Sequence, residues 1–165
     1  MDRAKGILMR AQRLSDDDAF SALRSAAMRS KQRLGQLSQH IIQSANLAEA
    51  VNRSGQLRML SQRVVKLHLL QAAGCASGAA HRACSTSRWQ RVEANLAFLR
   101  KSVSQPTYGD LLEQVAHTWE QLKAGLGAGL MWPRMEQQAE ALLSGAERLT
   151  SSLERVWRAV RLCIC

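Results

Sequence analysis

Asn52-Arg53-Ser54-Gly55-Gln56-Leu57-Arg58-Met59-Leu60-Ser61-Gln62-Arg63 lies inside a long helical pattern, and its stripes decide how the chain folds. Leu57, Leu60, Val64 and Leu67 recur at three- and four-residue steps and read as an inward helix face. A second set, Leu47, Val51, Ser54, Arg58, Ser61, Val65 and His68, keeps that spacing about a third of a turn away. Arg58 thus falls in a seam between Val51 and Val65, with only Ser54 and Ser61 beside it. A guanidinium in such a seam is costly to bury without a negative partner. Two readings follow. Two helices crossing at the seam can aim a guanidinium fork from each side at one small planar anion, with Gly55 allowing close approach and the Ser54 and Ser61 hydroxyls adding donors. Alternatively, the arginine runs along a packed helix to water or to a glutamate on a neighbouring helix.

Outward from this stretch the chain reads as helix throughout. Two prolines, few β-branched residues and abundant Ala, Leu, Gln and Arg in 165 residues predict an all-α protein. That length suits one or two small domains. Aromatics make up 4%, too few for a base-stacking platform on a sheet.

The net charge of +10 is uneven. Residues 1–46 carry eight basic and four acidic side chains, residues 47–105 nine and two, and residues 106–165 six and seven. The first two thirds should attract anions or polyanions, nucleic acid being the commonest. No apolar run reaches the length of a membrane span, and the charged start Met1-Asp2-Arg3-Ala4-Lys5 lacks a signal-peptide core. The expectation is a cytoplasmic protein with no membrane association. Cys75, Cys84, Cys163 and Cys165 fit no zinc spacing, and His40, His68, His81 and His117 are scattered. No metal, cofactor or catalytic residue is expected. With no nucleophile–base pair, phosphate loop or paired carboxylates, the chain reads as a non-enzyme.

Taken in order, residues 3–14 form a helical pattern with Ile7, Leu8 and Ala11 inward. Ser15 followed by Asp16, Asp17 and Asp18 marks a helix start, where a hydroxyl and carboxylates complement free amides. Ala19, Leu23 and Ala26-Ala27 pack inward with Phe20 and Met28 alongside. After a break at Arg29-Ser30, a third helix buries Leu34, Leu37 and Ile41. No proline interrupts residues 31–73. This third helix either breaks near Asn46 or runs on as one lever about 60 Å long. Residues 74–87 read as a loop. A helix at about 87–102 carries Trp89, Val92, Leu96 and Leu99. A turn at 106–109 precedes a helix at about 110–126 with Leu111, Val115, Trp119 and Leu122. Gly125, Gly127 and Gly129 end it, and Pro133 opens a last helix to about Leu162.

Asn52, Gly55, Arg58-Met59, Ser61 and Arg63 resemble the motif of type IV pili methyl-accepting chemotaxis transducer (PilJ-type) sensor domains, and the nitrate-binding P-box of nitrate/nitrite sensor kinases. The resemblance implies a four-helix sensor bundle that dimerises. The arginine before the methionine, here Arg58, would clamp nitrate or nitrite at the two-fold axis, with Gly55, Ser61 and Arg63 completing the anion site. The kinases usually carry an aromatic residue where this chain has Gln62, which moves it towards the PilJ-type branch.

Over about residues 3–45, Ala4-Lys5-Gly6-Ile7-Leu8-Met9, Leu14-Ser15, Ala19-Phe20, Leu23-Arg24, Ala26-Ala27-Met28 and Arg33-Leu34 resemble the ANTAR domain of transcription antiterminators. That family binds paired RNA hairpins in leader transcripts, generally as a dimer. The implied RNA-binding residues are Lys5, Arg24, Arg29, Lys31 and Arg33. Each also reads as a solvated surface charge. The combined expectation is a three-helix RNA-binding domain at 1–46 joined to a four-helix antiparallel sensor domain at 47–165. Together they would act as a nitrate- or nitrite-responsive antiterminator working as a homodimer. The alternative is a non-enzymatic sensor or adaptor that signals through a protein partner.

Overall fold

The computed structural model describes residues 1–75, 79–103, 106–128 and 132–162. They form six helices and, among the described residues, no strand: α1 Asp2–Gln12, α2 Asp16–Arg29, α3 Leu34–Ala72, α4 Ala79–Ser102, α5 Pro106–Gly127 and α6 Trp132–Leu162. The all-α expectation holds. Of the two alternatives at Asn46, the chain takes the continuous one, and α3 is a single helix of 39 residues. The absence of proline leaves nothing in the backbone to stop it, and Gly35 and Gly55 are tolerated.

Three boundaries differ from the reading of the sequence. The expected loop at 74–87 is mostly helix, since α4 begins at Ala79. Alanines 79, 80 and 83 are strong helix formers that outweigh the neighbouring Ser and Gly. Residues 76–78 lie outside the described residues. The expected turn at 106–109 is the first turn of α5, with Pro106 at the first helical position, where no amide hydrogen is needed. Gly125 and Gly127 lie within the end of α5, and Gly129 is outside the described residues. Among the described residues no helix is long and apolar enough to cross a membrane.

The chain divides into two compact units, residues 1–49 with the end of α6, and residues 50–155. In the first, Ala4, Leu23, Ala27 and Leu37 form the core, flanked by Leu8, Ala26, Leu34, Ile41 and Ile42. Ala11, expected inward, is exposed, and Ala4 takes the buried place on α1. Small Ala4 on α1 and Ala27 on α2 let these helices approach closely, while Leu23, Leu37 and the flanking Leu and Ile residues supply the apolar volume. Ser15 caps α2 as read: its Oγ accepts from the Asp18 amide at 3.2 Å and donates to Asp18 Oδ2 at 2.6 Å. The α2–α3 connection turns sharply at Lys31, in the left-handed region at φ 53°. The Arg33 amide then donates to Gln36 Oε1 at 3.2 Å at the start of α3.

In the second unit the contacts run in a ring. Asn95 of α4 donates to Gln56 Oε1 of α3 at 3.2 Å. Trp89 of α4 meets Trp119 of α5 edge to face, centroids 6.3 Å apart. Gly145 of α6 lies where an added Cβ would stand 3.0 Å from Val115 Cγ2 of α5. Thr150 of α6 donates to Ser54 Oγ of α3 at 3.0 Å. Val92, Leu96, Leu99, Leu112, Val115, Trp119, Leu122, Leu142, Leu149 and Leu153 fill the interior. On α5 the buried position is Leu112; Leu111, expected inward, is half-buried.

Arg100 of α4 clamps Glu113 of α5 through two bonds of 2.8 Å. The hydrogen-bonded guanidinium holds the Glu113 carboxyl below its ordinary 4.5. A depressed carboxylate stabilises the fold above its unfolded value, and the gain disappears as pH falls through the folded one. Both side chains are more than half exposed, so Arg100→Ala should lower stability by at most about 1 kcal/mol at neutral pH. The difference should vanish in urea titrations run well below pH 4.

Candidate functional site

On α3 the inward face is Ala50, Ser54, Leu57, Leu60, Ser61 and Val64, all buried. Ser54 and Ser61 therefore belong to the core stripe rather than flanking an open seam. Each hydroxyl donates to its own helix, Ser54 to the Val51 carbonyl at 2.9 Å and Ser61 to the Arg58 carbonyl at 2.8 Å. A serine hydroxyl has one hydrogen to give, so Ser61 steadies the backbone at Arg58 and leaves the guanidinium alone.

Arg58 itself is exposed. Its Nη1 stands 3.8 Å from Glu147 Oε1 of α6, and the two side chains are 52% and 54% exposed. A pair this long and this wet is weak. Beside it Gly55 is half-buried, and a Cβ added there would meet nothing within 4 Å. Met59 is 44% exposed, and exposed Arg63 places Nη1 4.0 Å from its sulfur. Gly55, Arg58, Met59 and Arg63 thus occupy the solvent side of α3, with Ser61 on the opposite side.

Reading by stripe alone missed Arg53. It points inward, donates from Nη1 to Asn95 Oδ1 at 3.0 Å and stacks 5.2 Å over the Phe98 ring. Asn95 is fully buried and serves Arg53 with its oxygen and Gln56 with its amide. The signal was present, since Arg53 is four residues from Leu57 and so shares the inward face.

In the first unit Lys5 is separated from the other RNA candidates. Its Nζ donates to Asp16 Oδ2 at 2.7 Å, tying α1 to α2, and that hydrogen bond raises the ammonium above its ordinary value. Arg24, Arg29, Lys31 and Arg33 are exposed and their side chains make no hydrogen bond or ion pair among the described residues. Three of them fall within five residues at the α2–α3 corner. Phe20 and Met28, expected to pack alongside, are instead 39% and 70% exposed, each four residues from Arg24 on α2. The corner is therefore cationic with an apolar stripe next to it, a combination that suits phosphates and unstacked bases.

No group of His, Cys, Asp and Glu that would hold a metal occurs among the described residues. Cys75 and Cys84 are free, and Cys163 and Cys165 lie outside the described residues.

Residues 1–42 match the family model of the ANTAR domain, an RNA-binding module of antiterminators. Residues 40–155 match that of the type IV pili methyl-accepting chemotaxis transducer N-terminal region, a sensor type of signal transducer. No curated protein and no solved structure matches the chain. Since the second match covers well over half of the length, the chain belongs to the type IV pili methyl-accepting chemotaxis transducer (PilJ-type) family, here preceded by an ANTAR domain.

Proposed function

We propose that this protein is a non-enzymatic cytoplasmic antiterminator whose binding to leader-transcript hairpins is controlled by nitrate or nitrite. The anion sits at the seam of a homodimer formed along α3. The observation that carries this reading is Arg58, exposed and only loosely held by Glu147, beside Gly55 with open space where a side chain would stand. Two such helices, one from each chain, can approach closely at Gly55 and bring two guanidinium forks to one planar anion. The anion then favours one dimer geometry over others, and the paired RNA-binding modules respond through that shift in population. Arg63 supplies further positive potential. Ser61 acts through the backbone at Arg58.

Calorimetric titration with nitrate and with nitrite should show about one anion per two chains, the stoichiometry of a two-fold site. Arg58→Ala should abolish that binding and change unfolding by less than about 1 kcal/mol, because its pair with Glu147 is exposed. Retained binding in the variant, or no heat from the parent with either anion, overturns the reading. Gly55→Ala separates the helix from the seam. With nothing within 4 Å of the new methyl, the substitution should stabilise α3 by up to about 1 kcal/mol. It should nonetheless weaken nitrate binding, because the methyl occupies the space needed by the second helix.

A further inference from the structure

Away from the α3 seam, α6 carries an open groove of about 480 Å³ lined by Leu111 of α5 and by Ser144, Glu147, Arg148, Ser151, Ser152 and Arg155. The spacing is that of one helix face. Arg148, Ser151 and Arg155 follow at three- and four-residue steps, so Ser151 stands midway between two guanidinium stems about 10 Å apart along the axis. Neither arginine makes an ion pair or hydrogen bond among the described residues. Elsewhere on the second unit Arg100 and Lys123 are paired to Glu113 and Glu93, while Arg134 is exposed without an ion pair among the described residues. What distinguishes Arg148 and Arg155 is that they line one groove together with three serines. Two unpaired arginines on one helix face, with Ser151 and Ser152 between them, can supply charge and directed donors to one tetrahedral anion. Glu147 is the opposing feature, a carboxylate on the same groove whose charge Arg58 partly offsets at 3.8 Å. Leu111 gives the groove an apolar wall.

We propose that this groove is a second oxyanion site, distinct from the Arg58 seam, that takes a phosphate group on Arg148 and Arg155 with the serine hydroxyls between them. The volume and the apolar wall suit a phosphate carrying an organic substituent better than a bare planar anion. Such a group comes either free in solution or as a phosphodiester of the RNA backbone. The chemistry of recognition is the same for both, and one site lies within one chain.

The test uses the full chain, with inorganic phosphate in calorimetry and polyuridylate in binding assays over a range of salt. The parent should bind phosphate at one per chain, and Arg148→Ala/Arg155→Ala should weaken it by about tenfold or more if free phosphate is the source. If the RNA backbone is the source, the double variant should lower the salt slope of polyuridylate binding by about two. Both arginines are exposed, so the variant should fold as the parent does by circular dichroism. Arg134→Ala, elsewhere on α6, controls for lost net charge and should leave phosphate binding unchanged. Glu147→Gln has the opposite sign and should bind the phosphate probe more tightly. The inference is overturned if the double variant keeps both the parent's phosphate affinity and its salt slope, or if Glu147→Gln binds no more tightly than the parent.

Discussion

Asn95→Ala is expected to lower the stability of the second unit by about 2 to 3 kcal/mol, the usual cost of stranding buried polar partners. Asn95 is fully buried and bonds two residues of α3 at once, Arg53 through its oxygen and Gln56 through its amide. Its removal takes a partner from a half-buried guanidinium and leaves Gln56 Oε1 short of a donor. The Phe98 ring under Arg53 compensates only in part, because it supplies no directed acceptor. Urea unfolding of the two proteins measures the difference, and a loss below that of the exposed Arg100→Ala variant would show that the layer contributes little. The paired replacement Asn95→Leu with Arg53→Met separates desolvation from bonding. Removing both together should recover the part of the loss due to the stranded guanidinium, since apolar residues of similar size often match a buried polar pair, while Gln56 stays short of its donor.

The second large effect concerns RNA. Replacing Arg29 and Arg33 with Ala and Lys31 with Gly should lower the salt slope of hairpin binding by about two to three, one for each phosphate contact removed. All three are exposed at the α2–α3 corner, and their side chains make no hydrogen bond or ion pair among the described residues. Glycine is the right replacement at Lys31, whose φ of 53° is strained for a residue with a side chain. The variant should therefore fold at least as stably as the parent, so a binding loss reports on contact. Lys5→Ala is the counterpart. Its ammonium is held by Asp16, so the substitution should loosen α1 against α2 and leave the salt slope nearly unchanged. An unchanged slope in the triple variant would place the RNA contacts elsewhere on the first unit.

Periodicity and punctuation read from the chain alone were enough for several elements. The Ser15 cap with its three aspartates placed the start of α2, because a cap is satisfied by residues three apart in sequence. The run from 34 to 72 without proline allowed one helix, while its stripes placed Arg58 in a seam and left open whether it meets an anion or a neighbouring glutamate. Long-range partners were beyond that reading. Nothing near Arg53 in sequence announces Asn95, 42 residues away, and nothing near Ser54 announces Thr150, 96 residues away. Ser54 and Ser61 looked polar enough for a seam, yet a serine that bonds its own helix carbonyl buries readily. Phe20 and Met28 looked apolar enough for the core. They stay exposed, since Ala4, Leu23, Ala27 and Leu37 with their Leu and Ile neighbours fill the core without them.

By itself, the sequence determined that the protein is all helix, where its cap lies, and which residues can face one side of α3. These properties depend on backbone propensity and on a period of 3.6 residues, which act locally. Only the tertiary structure decided which arginine turns inward, which loosely pairs with Glu147, and that Arg148 and Arg155 share a groove with Leu111. Those outcomes depend on which surfaces of distant helices meet. A guanidinium is satisfied by whatever acceptor packing brings within reach, and sequence spacing does not encode that acceptor.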